Sequence, residues 1–153
     1  MKAYADTNFL LRLFLVYEDS DRAIALLDGL GSKMGACPVT WLQNIEYTNS
    51  VHLLVFQSRA GALPRVTPEL AAIAQNDFTE ALARGSSLRE AVLNHRELTA
   101  GCRSLSERHT SSHGLRTYDV VHVASALLLQ CDTFWSFDAK ASKLAKLEGL
   151  KVL

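Results

Sequence analysis

Four acidic side chains stand where the chain is expected to turn from a strand into a helix, or inside an otherwise half-apolar helix. Asp6 follows the short apolar run at the N-terminus, and Asp138 follows the β-forming segment "TFWSF". Asp119 begins an apolar helix, whereas Glu46 lies in the middle of another. Crowded carboxylates repel one another unless a cation neutralises them. If the fold gathers these residues, they predict a site for Mg²⁺, with Mn²⁺ as an alternative, because hard divalent ions prefer oxygen ligands.

Such a site would act on phosphate esters. A divalent ion held by carboxylates can polarise a phosphoryl group, lower the pKa of a bound water and stabilise a leaving oxygen. The four acids are therefore candidates both for binding the metal and for catalysing phosphodiester hydrolysis.

The three aspartates also have a purely structural explanation. An aspartate at a helix start accepts hydrogen bonds from free backbone N–H groups and complements the helix macrodipole. Taken together the aspartates look redundant in that role, because Thr7 or Asn8 could cap the first helix and Thr117 the later one. We therefore expect the acids to face a ligand rather than to serve only as caps.

The elements that must position these residues alternate between strands and helices. Apolar residues at helical spacing follow Asp6, and Thr67 with Pro68 suits the N-cap and first turn of another helix. Residues 85–94 give no clear pattern, and 110–114 ("TSSHG") are expected to form a polar exit loop. We expect strands within 1–5, 35–39, 131–138 and 150–153, and helices within 6–16, 20–31, 40–61, 67–85, 95–109, 115–130 and 139–149.

This alternation predicts an α/β fold of three layers, with a central, mostly parallel sheet flanked by helices. Open α/β sheets bind ligands at the carboxyl ends of their strands. Asp6 and Asp138 are therefore expected to face one crevice, with Asp119 pointing to the same edge. Glu46 would reach it from a helix. No repeat, linker or low-complexity tract divides the chain, so we expect a single domain over residues 1–153.

Composition narrows the partners and the compartment. The 153 residues are 48% hydrophobic, enough for one sizeable core, and 16 basic residues balance 16 acidic ones. Without net charge, nucleic-acid binding would need a local basic patch. Three widely spaced cysteines, no signal-peptide core and no long apolar run predict a soluble, cytoplasmic protein without disulfides, zinc knuckle or membrane contact.

Several segments resemble the ordered acidic motifs of PIN-domain ribonucleases, especially the VapC-type toxins of toxin–antitoxin pairs. They are "YADTN", "NIEYTNS", "RTYDVVHVASAL" and "FWSFDAK" with the later "LAKLEGLKV", and together they span nearly the whole chain. The resemblance implies a PIN-like domain acting as a magnesium-dependent endoribonuclease. It also implies that Asp6 and Asp119 are the principal metal ligands. Glu46 and Asp138 would complete the acidic cluster.

The resemblance further implies partners and supporting residues. RNA would be the substrate, a small antitoxin protein would block the cleft, and the protein would form a homodimer. The apolar segment "NFLLRLFLV" is a candidate for the interface or for the core. Ser136 provides a hydroxyl beside the site where family members often carry Thr, and Tyr118 before the third acid is also less usual. Asn8, two residues after the first motif acid, and Arg116, three residues before the third, are candidates for supporting contacts.

Two other functions remain open. A receiver-like signalling module would use its acids to bind magnesium and accept a phosphoryl group. It normally needs paired acids after the first strand, whereas Asp6 is followed by Thr7 and Asn8. A non-catalytic PIN-like scaffold would bind RNA without cutting it, although the presence of all four acids favours an active site.

Histidines and basic stripes offer weaker candidates. His122 lies one turn from Asp119 and could orient it or transfer a proton, but a hydrogen-bonded core histidine is the commoner case. His109 and His113 have the spacing of metal ligands, although their segment is expected to be a loop. Two basic stripes could contact RNA phosphates or face solvent: Arg89, Arg96 and Arg103, and Lys140, Lys143 and Lys146.

Overall fold

The chain folds as an alternation of short parallel strands and helices. The computed structural model describes residues 2–29 and 35–153. Met1 and the proposed helix end at Gly31 therefore lie outside the described residues, and no described helix is long and apolar enough to cross a membrane. The strands are β1 (Ala3–Ala5), β2 (Cys37–Val39), β3 (Leu88–Glu90), β4 (Thr133–Trp135) and β5 (Lys151–Val152); the helices are α1 (Thr7–Phe14), α2 (Ser20–Gly29), α3 (Trp41–Arg59), α4 (Pro68–Arg84), α5 (His95–His113), α6 (Thr117–Leu128) and α7 (Ala139–Leu147).

The strand pairs of the described residues are parallel. β4 lies between β1 and β5, with Ala5 opposite Trp135, and β2 pairs with β3, with Cys37 opposite Leu88. β2 lies beside β1, where the Cys37 thiol donates to the Ala3 carbonyl over 3.3 Å. The predicted central, mostly parallel sheet is confirmed, and the carboxyl ends of β1 and β4 share one edge.

Helices cover the sheet on both faces because the side chains of each strand alternate in direction. Tyr4 and Phe134 stack at 5.7 Å on one face and join the core that α5, α6 and α7 complete. Ala5 and Trp135 belong to the core on the other face, which α1 to α4 complete. There Phe9 stacks on Trp135 at 5.1 Å. Three layers result, as predicted, with a buried apolar core on each side of the sheet.

Two segments differ from the expectation drawn from the sequence. The unassigned region 85–94 contains β3, in which Leu88 alone of the three residues is buried, so no alternating apolar pattern marked it. The exit loop expected at 110–114 is wrong, because α5 continues to His113 and ends at Gly114 in the left-handed conformation, with φ 59°. Packing of α5 against α6 outweighs the weak helix propensity of threonine and serine there.

Candidate active site

The four predicted acids border one pocket at the carboxyl ends of β1 and β4. The pocket has a volume of about 230 Å³. Its walls receive Asp6 from the end of β1, Glu46 from α3, Asp119 from the first turn of α6 and Asp138 from the loop after β4. The structure thus brings together side chains that lie far apart in the sequence, while the roles assigned to them remain predictions.

Asp6 is the most buried of these carboxylates, at 3% exposure. It caps α1, since the Phe9 N–H donates to Oδ1 over 2.8 Å, and the Ser136 hydroxyl donates to Oδ2 over 2.5 Å. Strand pairing delivers Ser136, because the Asp6 N–H donates to the Trp135 carbonyl over 3.0 Å. Burial raises the pKa of Asp6 from 3.8 to about 6, although His122 and the bonds from Ser136 and Phe9 lower it. Asp6 therefore carries a charge that the protein itself offsets only in part.

Glu46 is held by a chain of hydrogen bonds that starts in the core. Its Oε2 accepts from the Thr7 hydroxyl and lies 2.7 Å from His122 Nε2. His122 Nδ1 lies 3.0 Å from the hydroxyl of the fully buried Tyr4. Burial raises the pKa of Glu46, but the hydrogen bonds from His122 and Thr7 outweigh burial, so the pKa is lowered. His122 therefore orients Glu46, not Asp119 as its spacing in the sequence suggested.

Asp119 and Asp138 are joined by one guanidinium. Arg116 Nη2 lies 2.9 Å from Asp119 Oδ1 and 2.7 Å from Asp138 Oδ2. Arg116 also donates to Asp119 Oδ2, from Nε over 3.2 Å and from its backbone N–H over 2.9 Å. Asp138 Oδ1 caps α7 by accepting from the N–H groups of Lys140 and Ala141, over 2.8 and 3.2 Å. These two acids therefore have a cation of the protein's own.

The ion pairs in this half of the pocket shift the pKa values of Arg116 and Asp138. Hydrogen bonds to Asp119 and Asp138 raise the pKa of Arg116 well above its ordinary value. Burial raises the pKa of Asp138, but the backbone N–H groups of α7 and the Arg116 guanidinium outweigh burial and lower it. Arg116 and Asp138 are therefore both charged at neutral pH.

The structure corrects the expectation that the aspartates are redundant as helix caps. Asp6 and Asp138 are the N-caps of α1 and α7, and Asp119 closes the first turn of α6 by accepting a backbone N–H. Thr7 and Thr117 are the first residues inside their helices, one position beyond the N-cap. Capping does not exclude ligand binding, because a carboxylate has about four lone-pair sites and each N–H uses one.

The donor chemistry of the pocket fits a hard divalent cation, because its walls carry carboxylate oxygens rather than thiolates. In the described part of the chain, however, no three His, Cys, Asp or Glu side chains are already arranged as a ligand set. Arg116 lies between Asp119 and Asp138, and Glu46 is turned towards its hydrogen-bond donors. The residues therefore fit the ion in chemistry, and binding it requires some of these side chains to rearrange.

Asn8 lines the same pocket and is oriented by an arginine that the sequence did not single out. Arg12 Nη1 donates to the Asn8 side-chain oxygen over 2.7 Å and to its carbonyl over 2.8 Å. The Arg12 guanidinium lies over the rings of Tyr17 and Phe137, at 4.8 and 4.5 Å from their centroids. Asn8 is thus held in place by a cation packed between two aromatic rings.

Sequence reasoning missed three of the residues that shape the pocket, namely Thr7, Tyr4 and Arg12. The available signal was indirect: an acid on a half-apolar helical stripe, such as Glu46, needs hydrogen-bond donors. Helical spacing identified that need, but the donors come from β1, α1 and α6, so only the tertiary fold could name them.

The arginine stripe does not form the surface that its spacing suggested. Arg89 belongs to β3, whereas Arg96 and Arg103 belong to α5, so the three do not share one helical face. Of the lysine stripe on α7, Lys140 is the member beside the pocket, and its Nζ donates to the Gly114 carbonyl over 3.0 Å. Lys140 is therefore the stripe's nearest candidate for a phosphate contact.

The histidine pair lies on α5 rather than in a loop, with the rings of His109 and His113 stacked at 6.2 Å. His109 Nε2 lies 2.6 Å from Glu148 Oε1, and Arg108 donates to both oxygens of the same carboxylate over 2.7 and 3.1 Å. Glu148 follows the last turn of α7. These contacts join α5 to α7 and explain His109 as a structural residue rather than a zinc ligand.

Fold and pocket together define an α/β protein with an acidic ligand site at the carboxyl ends of parallel strands. Residues 3–147 match the family model described as PIN domain, so the chain belongs to the PIN domain family. PIN domains are usually nucleases, and this membership supports a nuclease, and hence a hydrolase, in general terms. No curated protein matches the chain at a significant level.

Proposed function

We propose that this protein is a magnesium-dependent endoribonuclease and the VapC-type toxin of a toxin–antitoxin pair. The observation that carries the proposal is the meeting of Asp6, Glu46, Asp119 and Asp138 in one pocket of a PIN domain. A scaffold that only bound RNA would have no need for four carboxylates at the site where phosphates would lie, because they repel the substrate. A cation bound among them reverses that repulsion.

The four acids take different parts in this function. Asp6 and Asp119 hold the divalent ion, with Glu46 and Asp138 completing its surroundings; Mg²⁺ is the expected ion and Mn²⁺ a substitute. When bound, the ion supplies an activated water and stabilises charge on the phosphate. The chain's own contribution is to orient the ligands, since the Ser136 hydroxyl donates a hydrogen bond to Asp6 Oδ2.

RNA binding depends on local cations, because the whole chain has no net charge. Arg116 stands at the pocket with 62% of its side chain exposed, and Lys140 lies in the first turn of the adjacent helix α7. Guanidinium and ammonium groups at this rim would contact phosphates on either side of the scissile bond.

The proposed homodimer and the proposed antitoxin need a surface other than the segment "NFLLRLFLV". In that segment Phe9 and Leu10 are fully buried, so it serves the core. Helix α3 instead exposes Trp41, Ile45 and Phe56 along its length. Exposed apolar side chains of this size support a protein partner.

A second candidate function is an RNA-binding PIN scaffold that does not cut. The observation in its favour is the guanidinium of Arg116, which already balances Asp119 and Asp138 without any metal. The receiver-like alternative loses its support, because no second acid stands beside Asp6 at the end of β1 and the chain belongs to another family.

Cleavage is tested with purified protein and a panel of structured RNAs, with the new ends mapped in Mg²⁺ and in excess chelator. We expect discrete internal cuts in Mg²⁺ and none in chelator. Intact RNA in both conditions, for protein that retains RNA in a gel-shift assay, would favour the scaffold instead.

The toxin role is tested in cells by expression of the protein alone. We expect growth arrest, relieved by co-expression of a small protein encoded next to it. Normal growth with abundant, metal-loaded protein would remove the toxin assignment while leaving nuclease activity to the test above.

A further inference from the structure

We propose that Arg116 is an internal counter-ion that holds the place of the divalent cation and is displaced when the cation binds. The inference rests on the proposed metal-dependent function and adds a residue whose movement that function requires. It assigns to Arg116 the role of balancing charge in the metal-free protein, beyond the supporting contact expected from its place in the sequence.

One nitrogen atom of Arg116 contacts both carboxylates. Arg116 Nη2 contacts Asp119 Oδ1 at 2.9 Å and Asp138 Oδ2 at 2.7 Å. Two carboxylates from different elements, α6 and the loop before α7, are therefore both within reach of a single positively charged point. A magnesium ion binds its oxygen ligands at about 2.0–2.1 Å, so a short approach of the two acids would let an ion at this point contact both.

The guanidinium is much more exposed to solvent than the Asp119 carboxylate that it contacts. The Asp119 side chain is 5% exposed and that of Arg116 is 62% exposed. Ion pairs with an exposed cation are weakened by solvent screening and by the entropy cost of ordering a long side chain. Within this trio the guanidinium is therefore the member that can leave at the lowest cost.

Asp119 does not depend on the guanidinium for its orientation. The backbone N–H of Arg116 donates to Asp119 Oδ2 over 2.9 Å, and this contact closes the first turn of α6 whatever the side chain does. Asp138 is likewise held by two N–H groups of α7. Both carboxylates thus keep their orientation when the Arg116 side chain moves away, as ligands of an incoming ion must.

A permanent clamp is the alternative role for Arg116, and it makes different predictions. A clamp stays on Asp119 and Asp138 in the metal-bound protein, whereas a displaced counter-ion competes with the metal for the same oxygens. A clamp also places a positive charge near the metal, so tighter binding by Arg116→Gln alone fits both roles. Only competition predicts in addition that metal frees the guanidinium in the intact protein.

Affinity is measured by titration calorimetry with MnCl₂ on the wild type, Arg116→Gln, Arg116→Lys and the control Arg103→Gln. Arg103 lies on α5 and lines other surfaces, so its variant removes the same charge at a distance. We expect Arg116→Gln to bind Mn²⁺ about fivefold to tenfold more tightly than the wild type. Arg116→Lys should lie between them, because it keeps the charge without the bidentate fork, and Arg103→Gln should match the wild type.

The movement itself is measured on the Nε–H resonance of Arg116, assigned by its loss in Arg116→Gln and followed during titration with diamagnetic Mg²⁺. We expect the resonance to shift and its exchange with water to accelerate as Mg²⁺ saturates. An unmoved resonance together with equal or weaker binding by Arg116→Gln would establish a clamp and overturn the counter-ion. If neither the wild type nor Arg116→Gln binds metal, both the counter-ion and the metal-dependent function are overturned. Metal binding without release of Arg116 overturns the counter-ion alone, so the two failures can be told apart.

Discussion

The two halves of the acidic pocket solve the same electrostatic problem in different ways. Asp6 and Asp138 occupy equivalent backbone positions, each as the N-cap of the helix that follows one of two adjacent parallel strands. Yet burial raises the pKa of Asp6 to about 6, whereas N–H groups of α7 and Arg116 lower that of Asp138 against the effect of burial.

The difference lies in burial and in the partners rather than in the backbone, because Asp6 is buried and Asp138 is half-buried. Asp138 and Asp119 share a guanidinium that contacts both, while Asp6 has the electrostatic effect of His122, the hydroxyl of Ser136 and the N–H of Phe9. A neutral donor satisfies a lone pair but does not cancel a charge. The Asp6 side of the pocket is therefore where an external cation would gain the most, and the Arg116 side is where it must compete.

The largest expected effect is on catalysis. Asp119→Asn should lower RNA cleavage at least about 1000-fold, or about 4 kcal/mol in activation free energy, because a neutral amide is a poor ligand for Mg²⁺. Circular dichroism should remain native, since the amide oxygen can still accept the Arg116 backbone N–H. The matched control Asp77→Asn, on the exposed surface of α4, should cleave normally. Full activity of Asp119→Asn with a native spectrum would contradict the assignment.

The next effect separates burial from capping at Asp6. The pKa of the Asp6 carboxyl rises from 3.8 to about 6 on folding. The free energy of unfolding therefore falls as pH increases through that interval, because the unfolded chain gives up this proton more easily. With about 1.4 kcal/mol per pKa unit, Asp6→Asn should stabilise the chelator-treated protein at pH 7 by roughly 3 kcal/mol, because asparagine also caps helices well.

Thermal unfolding of wild type and Asp6→Asn between pH 4 and pH 7 measures this difference, which should vanish near pH 4. Millimolar Mg²⁺ should raise the melting temperature of the wild type and change that of Asp6→Asn little. An equal response of both proteins to Mg²⁺ would mean that Asp6 is a cap and not a ligand.

A smaller effect is expected from the hydroxyl that serves Asp6. Ser136→Ala removes a donor from a buried carboxylate and an acceptor from the Asp138 N–H, and should cost about 1.5 kcal/mol of unfolding free energy. Ser136→Thr keeps the hydroxyl and should stay near the wild type. Urea denaturation of the two variants compares them directly, and equal losses would assign the effect to packing rather than to the hydroxyl.

The smallest effect concerns an acid outside the pocket that, like Asp138, has a cation of its own. Burial raises the pKa of Glu148, but His109 and Arg108 outweigh it and lower the pKa. A lowered carboxyl pKa stabilises the fold above the ordinary value near 4.5 and loses that contribution as pH falls through the folded pKa. Glu148→Gln should therefore cost about 1 kcal/mol at pH 7 and nothing in strong acid. A loss independent of pH would reject the ionic explanation.

The fold was predictable where apolar patterns were strong and local. The parallel sheet followed from the alternation of strands with helices, and α4 followed from Thr67 and Pro68 at its start. β3 was not predicted, because two of its three residues are polar and exposed and the strand therefore shows no apolar alternation. Its presence also broke the arginine stripe, whose spacing assumed one continuous helix.

The site was predictable in its acids and not in their partners. Each aspartate was marked by a local transition, from strand to helix or into an apolar helix, so residue type and position sufficed. The ties of Glu46 to His122 and of Arg116 to Asp138 join residues 76 and 22 positions apart in the sequence. No local pattern encodes such contacts. The caps supplied by Asp6 and Asp138 are local, and they were underestimated for another reason, because nearby threonines looked equally able to cap the helices.

The most direct test of the account is a crystal of the wild-type protein soaked in Mn²⁺, with anomalous differences measured at the manganese edge. We predict a peak in the pocket within ligand distance of Asp6 and Asp119. We also predict that the Arg116 guanidinium no longer contacts Asp138. A pocket without a peak at saturating Mn²⁺, with Arg116 still joining Asp119 to Asp138, would contradict it.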